Sequence, residues 1–295
     1  MLRHVSPAFA EDPVRVLRVA RFAARYAPLG FRVADETLAL MRKMVADGEA
    51  NALIAERVWT ETEKALGEPC PDVFISVLRE CGALKVVYPE IDALFGVPQP
   101  AKWHPEIDTG VHQLMALREA VKSGGGVAVR FAVLMHDLGK GATPADKLPS
   151  HPGHEDAGVA LVERLCARVR VPNNLRELAV MTARYHTHVH RAFELRADTV
   201  LKTLEGCDAL RRPERFADFL LACEADARGR LGLEERVYPQ RGFFVAARDA
   251  AAAIALSPAE RTGLSGEQIG QELRRRRAAA IEAVKAAQVP PSGAV

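Results

Sequence analysis

The chain has 295 residues, 48% of them hydrophobic and 26% charged, with a formal net charge of +2 at pH 7. That is ample material for a globular core, and the near balance of charge excludes a globally polybasic partner for nucleic acid, so any such contact must be a local patch. The five cysteines (Cys70, Cys81, Cys166, Cys207, Cys223) are odd in number, scattered and without a CxxC pair, which argues against a disulfide framework and a thiolate zinc site and for buried small hydrophobes.

Helical periodicity dominates from end to end, no run of alternating β-branched residues stands out, and an all-α fold follows. The first helix is expected over 13–27, with Asp12 as N-cap and Pro13 at the first helical position. Asp12 and Arg15, three apart, would share one face of that helix, as a surface ion pair or as an acceptor and donor that read a base edge. Three short helices follow near 35–46, 55–66 and 71–82. Breaks at Pro89, Gly96, Pro98, Pro100 and Pro105 place a boundary near residue 100. Beyond it, helices are expected near 110–122, 127–138, 154–169, 174–188, 197–205, 213–228 and 240–255. Ser265-Gly266-Glu267-Gln268 has capping-box form and opens a last long helix carrying Arg274, Arg275, Arg276 and Arg277. Pro290, Pro291 and Gly293 end the chain in an expected frayed tail. The division expected is 1–100, 101–235 and 236–295. Trp59 and Trp103 are read as buried anchors. Apolar runs such as 216–223 and 247–256 are interrupted or short for a bilayer, and no export signal opens the chain, so a cytoplasmic protein without a membrane partner is expected.

The segment Val133-Leu134-Met135-His136-Asp137-Leu138-Gly139-Lys140 ends an apolar helix in two ionisable residues. Burying such a pair carries a desolvation cost, so it needs a partner such as a metal ion. Adjacent helical side chains diverge by about 100°, so further ligands must come from other helices; His112 and Asp226 are the candidates. Two imidazoles and two carboxylates suit a divalent ion with open positions, an arrangement for hydrolysis.

His112, then His136-Asp137, then Asp226, with Gly139-Lys140 beside the pair, resemble the signature of the HD-superfamily phosphohydrolases. The resemblance implies hydrolysis of phosphomonoesters or cyclic phosphodiesters by water acidified at the ion, with Lys140 and Arg228 stabilising the developing charge. His151, His154, His186, His188 and His190 lie between the pair and Asp226. In binuclear members, extra histidines there hold a second metal; His154 and His186 fit best, and substrate phosphate or solvent contact is the alternative.

Glu11-Asp12-Pro13-Val14-Arg15, continued through Arg18, Arg21 and Phe22, resembles the EDxxR motif of the bacterial class II tRNA nucleotidyltransferases, the CCA-adding enzymes. Glu56-Arg57 with Glu61 is similar to the ERxxxE element of their neck. The resemblance implies a helical neck and body, then an HD bundle and a helical tail. It gives Asp12 and Arg15 the choice of CTP or ATP, with Glu11, Arg18 and Arg21 in the same nucleotide-binding segment. It further implies a divalent metal (magnesium, nickel, cobalt or manganese), the tRNA acceptor end and nucleotides as partners, and 2′,3′-cyclic phosphodiesterase, 2′-nucleotidase and phosphatase activity in the HD unit. A homo-oligomer is compatible with it. The family's head, with a glycine-rich turn and a DxD pair, would lie before Glu11. Only ten residues stand there, so this chain is expected not to add CCA by itself. Arg211, Arg212 and Arg215 with Arg274 to Arg277 are the first candidates for phosphate contacts to tRNA, followed by Arg164, Arg168 and Arg170. The alternative is a non-catalytic tRNA-binding and nucleotide-selecting module that needs a separate head.

Overall fold

Apolar residues spaced three and four apart give each long segment one apolar stripe, and the helices assemble by burying those stripes against one another. The structure, a computed structural model, describes residues 1–287; among these it holds fifteen α-helices, two isolated β-bridges and no strand. This is the all-α fold that the periodicity predicts. The expected frayed tail at Pro290, Pro291 and Gly293 lies outside the described residues. No helix among the described residues is long and apolar enough to cross a membrane.

The first half is built on α1 (Val14–Tyr26), α2 (Asp35–Ala46), α3 (Ala55–Gly67), α4 (Pro71–Glu80), α5 (Ala83–Val87) and α6 (Pro89–Asp92). Helix α1 buries Val14, Leu17, Ala20 and Ala24, at helical spacing, against α3 and α4. It starts after Pro13, and Asp12 precedes it in extended backbone (φ −137°), its carboxylate accepting from the Val14 N–H at 3.1 Å. Asp12 thus covers a free N–H at the helix start, as expected, but it does not share a helical face with Arg15. The short helices α5 and α6 are hidden from the sequence pattern by Tyr88-Pro89, where proline ends one turn and opens the next.

Helix α3 braces both sides. Its Arg57 grips Asp12 with two nitrogens, at 3.1 and 2.6 Å, and its Glu61 accepts from Arg21 at 2.7 Å in a nearly buried pair. Toward the second half, Glu56 pairs with Arg170, and Trp59 meets Phe131 edge to face at 5.4 Å.

The second half contains α7 (Thr109–Lys122), α8 (Val127–Met135), α9 (His154–Val169), α10 (Asn173–His190), α11 (Ala197–Gly206) and α12 (Pro213–Arg228). Helix α8 is almost wholly apolar, and it runs through the middle, packed by α7, α10 and α12 with α3 behind. Such a helix can lie only inside the bundle. It stops at Met135, three residues short of the predicted end, because Asp137 leaves helical backbone (φ −106°, ψ 12°) and starts a 3₁₀ turn over Leu138–Ala142. Helices α13 (Pro239–Ala252), α14 (Pro258–Arg261) and α15 (Gly266–Ala287) complete the chain, with α15 lying on α11 and α13. The predicted capping box is present: Gln268 N–H donates to Ser265 Oγ at 3.2 Å, and Ser265 N–H donates to Gln268 Oε1 at 2.8 Å.

The 3₁₀ turn sits directly on the first turn of α9. A Cβ added at Gly139 would lie 1.9 Å from the His154 carbonyl oxygen, so no side chain fits there. Gly139→Ala is expected to cost about 1–3 kcal/mol, the usual range for overpacking, seen as a lower urea midpoint with an unchanged m-value.

Candidate metal centre

Asp137 and His136 leave the buried end of α8 with side chains 1% exposed. Four helices, α7, α9, α10 and α12, and the turn deliver the groups that face them. His136 Nδ1 donates to the Val133 carbonyl at 2.7 Å, His186 Nδ1 to Thr182 at 2.9 Å and His154 Nδ1 to His151 at 2.8 Å. Each bond fixes the tautomer, leaving the Nε2 lone pair to face inward. Those Nε2 atoms lie 3.1, 3.6 and 3.7 Å from the Asp137 oxygens: His136 from Oδ2, His186 and His154 from Oδ1.

His112, from α7, places Nε2 3.1 Å from Asp226 Oδ1 and 4.0 Å from Asp137 Oδ2. Its Nδ1 faces Glu106 Oε1 at 3.0 Å, and the same carboxylate oxygen also takes His104 Nδ1 at 3.0 Å. Ile107 holds a left-handed backbone (φ 62°), uncommon for a β-branched residue, where the chain turns Glu106 inward.

His112, His136 and Asp137 bring ligand atoms within 4.8 Å of one another; so do Asp137, His154 and His186, and so do His136, His186 and Asp226. The four predicted ligands and the two second-rank histidines therefore converge on one site, with Asp137 common to two of the groups. His136 Nε2, His154 Nε2 and Asp137 Oδ1 are buried without a hydrogen-bond partner. Buried lone pairs left unpaired are costly, and this donor set of imidazoles and carboxylates fits a divalent cation.

Burial opposes the charge on Asp137, yet His136 and Lys140 outweigh it and hold the carboxyl well below its ordinary range. Asp226 is likewise held low against burial by His190, His136 and Arg230. Lys140 Nζ lies 2.7 Å from Asp137 Oδ2 and donates to Gln99 Oε1 at 2.6 Å, so its charge is already committed within the site.

His190 belongs to the site although the sequence pattern does not rank it among the ligands. Helix α10 runs to His190, two residues past its predicted end, and places His186 and His190 four apart on one face. His190 Nε2 bonds Asp226 Oδ2 at 2.5 Å, while Tyr238 Oη donates to its Nδ1 at 2.8 Å. The spacing of four is the signal that could have found it. His188 turns to Thr203, and His151 bonds Thr143 and the Pro98 carbonyl; neither belongs to the ligand groups. Arg228 is occupied by Glu224 and the Arg236 carbonyl, and the arginine that reaches the site is Arg230, 3.4 Å from Asp226. Two residues further along, the chain has turned out of α12.

A cavity of roughly 630 Å³ opens beside this cluster and is lined by Lys140, His154, His186, Asp226, Arg230 and Trp103, among others. Trp59 is a buried anchor as expected, at 7% exposure, but Trp103 is 38% exposed on the cavity wall. It lies in the loop closed by the bridge of Pro98 with Asp108.

The other predicted residues lie elsewhere. Glu11 and Arg18 are exposed, Asp12 is taken by Arg57, Arg15 donates to the Ala8 carbonyl, and Arg21 is held by Glu61 and Glu68. Arg211, Arg212 and Arg215 all pair with Asp208, and the last two also reach Glu177. Arg274 pairs with Glu205, Arg275 and Arg276 pair with Glu272, and the half-buried Arg277 keeps its Nε without a partner among the described residues. Neither arginine cluster touches the histidine site.

Two family models match the chain: one described as a probable RNA and SrmB-binding site of polymerase A, over residues 30–95, and an HD domain over 110–231. The multifunctional CCA protein of Thioalkalivibrio sulfidiphilus is 63% identical over 97% of this chain and 70% of its own length. That of Pseudomonas aeruginosa strain PAO1 is 55% identical, with the same 97% and 70% covered. Among solved structures, a CCA-adding enzyme in complex with CTP shares the fold at TM-score 0.57 and 15% identity, covering 99% of this chain and 60% of that one. The Thermotoga maritima CCA-adding enzyme complexed with tRNA gives 0.54 at 16%, covering 95% and 62%. The chain thus spans about 70% of the curated relatives and about 60% of the solved chains.

Burial presses His190 down to about 4 and, despite Glu106, the mostly buried His104 to about 3, so both stay neutral in the folded protein at pH 7. The unfolded chain takes up these protons near the ordinary value of about 6.5. Stability of metal-stripped protein should therefore fall as pH drops from 6.5 toward 4. His112 is shifted the opposite way: burial works against its charge, but Asp226 and Glu106 raise it. The contribution of His190 is thus read by difference: between pH 7 and 5 the urea-derived stability of His190→Gln should fall about 1–2 kcal/mol less than that of the wild type.

Proposed function

Because the chain belongs to the multifunctional CCA protein family, we propose that it acts in tRNA 3′-end maturation and repair, and that the HD domain contributes a metal-dependent phosphohydrolase. The activities assigned to it are those of a 2′,3′-cyclic phosphodiesterase, 2′-nucleotidase and phosphatase. The observation that carries this reading is the convergence of inward-facing imidazole nitrogens on Asp137, which two ligand groups share. His112, His136, Asp137 and Asp226 would hold one ion, and Asp137, His154 and His186 would hold a second. Magnesium, manganese, nickel and cobalt all suit such donors. A bound divalent ion supplies a Lewis acid for the phosphoryl oxygens and acidifies the water that attacks phosphorus.

The chain's own side chains do the rest. Lys140 keeps Asp137 ionised and aligned, and the Tyr238–His190 pair does the same for Asp226. Glu106 fixes the ring of His112, as outer-shell carboxylates do for ligating histidines. Arg230, on the cavity wall, is placed to meet a phosphoryl oxygen.

The reading divides the chain into a neck and body over 1–100, the HD unit over 101–235 and a helical tail over 236–295, a division supported by the family matches at 30–95 and 110–231. Nucleotide selection is assigned to Asp12 and Arg15 with Glu11, Arg18 and Arg21. In this reading a CTP or ATP base exchanges with Arg57 for Asp12 and with the Ala8 carbonyl for Arg15, while Arg21 acts through the buried pair that stiffens the helix. Nucleotidyl transfer is assigned to none of the described residues. The arginines at 211–215 and 274–277 are assigned to tRNA phosphates; their exposed ion pairs are weak enough to be exchanged.

Release of phosphate or opening of the ring from 2′,3′-cyclic AMP should require added divalent metal. His136→Ala and Asp137→Ala should each lower the rate by more than the 10–100-fold that outer-shell changes typically cost. A wild type inactive with all four metals would leave a binding module as the function. In a separate measurement, tRNA affinity should fall steeply with salt, and charge removal at Arg274 and Arg275 should flatten the slope by about one to two units. Affinity that is flat from low to high salt would remove the arginine clusters from the interface.

A further inference from the structure

The cavity beside the metal centre is larger than a phosphate group and falls within the size range of sites for small organic ligands. Its lining also includes Trp103, Arg230 and Arg236. The cavity's carboxylates are already matched. Asp226 is held by His112 and His190, Glu155 accepts from Thr187 at 2.9 Å, and Glu194 pairs with Arg191. Lys140 is committed to Asp137 and Gln99.

The two arginines keep donors in reserve. Arg230 spans from Asp226 to the Trp103 carbonyl with both contacts long, at 3.4 Å, and its buried Nε has no partner. Arg236 is half-buried, and among the described residues its guanidinium has neither an ion pair nor a hydrogen bond. A partly desolvated guanidinium without an acid is an anion receptor, and its planar fork fits phosphate. Trp103 lines the same cavity at 38% exposure, with Lys102 Nζ 4.3 Å from its ring centroid. An exposed indole beside an anion receptor is the pairing that nucleotides recognise, since every base has a face to stack.

We propose that Trp103, Arg230 and Arg236 form a nucleoside-phosphate subsite that selects the substrate of the metal centre, the indole stacking the base and the guanidiniums holding the phosphate. Which bond is then cleaved rests on the phosphohydrolase reading; the binding preference does not.

The test is equilibrium dialysis of the full chain against 2′-AMP and ribose 5-phosphate, with tryptophan emission followed in parallel. The wild type should bind 2′-AMP at least about tenfold more tightly than ribose 5-phosphate, the size of one stacking contact, and 2′-AMP alone should quench the emission. Trp103→Leu should bring the two affinities within about threefold without weakening ribose 5-phosphate, and Trp103→Phe should retain the preference. Arg236→Gln should weaken both ligands roughly tenfold, with partial recovery in Arg236→Lys. Equal binding of the two phosphates by the wild type, or a preference that survives Trp103→Leu, overturns the subsite. If the preference behaves as expected while 2′,3′-cyclic AMP is not hydrolysed with any metal, the subsite stands and the phosphohydrolase reading falls. Metal-dependent hydrolysis without a base preference removes the subsite and leaves the phosphohydrolase in place.

Discussion

A carboxylate buried to 1% exposure, Asp137, sets the conditions for the whole second half of the chain. Charge in such a place is unfavourable unless cations and aligned donors surround it. Lys140 from the 3₁₀ turn supplies one cation, and the inward nitrogens of His136 at the end of α8, His154 from α9 and His186 from α10 surround the carboxylate as a donor set that fits a divalent ion. Helix α8 can end in this way only because it is apolar enough to run through the bundle's centre. Gly139, without a Cβ, lets the turn approach α9 closely enough for His154 to face Asp137. A second carboxylate, Asp226, is held by the same means through His112, His190 and Arg230.

Helix α3 ties this centre to the first half of the chain. Its adjacent residues Glu56 and Arg57 clamp in opposite directions, one onto Arg170 at the end of α9 and the other onto Asp12 at the start of α1. The two exposed pairs contribute little to stability. The nearly buried Arg21–Glu61 pair and the Trp59–Phe131 contact carry more, since a buried charge left without its partner is strongly destabilising. The residues of the ERxxxE element are therefore structural partners of the EDxxR segment: Arg57 and Glu61 hold Asp12 and Arg21 in turn.

Much of the site is legible in the residues. An ionisable pair closing an apolar helix announces a buried charged centre, and the order His112, His136-Asp137, Asp226 points to its remaining ligands. His154 and His186 have less to separate them from their neighbours, because a count of histidines does not say which face each occupies. His190 falls outside a helix ended at 188; its spacing of four from His186 carries the information once the helix is known to continue. Arg228 stands before Arg230 in the sequence reading for a related reason: the direction of the chain after α12 depends on how the following loop packs, which no local pattern gives.

Sequence alone determined the all-α fold, most of the long helices within a few residues and the caps at Asp12 and Ser265, and it named the four residues proposed as principal ligands. These follow from short-range chemistry, in the period of apolar residues, the dihedral limits of proline and the cost of burying charge. Tertiary structure decided which groups meet. It committed Asp12 to Arg57 and Lys140 to Gln99, set Trp103 on a cavity wall and left Arg236 without an acid. Those pairings join residues distant in sequence, and they depend on how helices cross in space, so no stretch of the chain read by itself contains them.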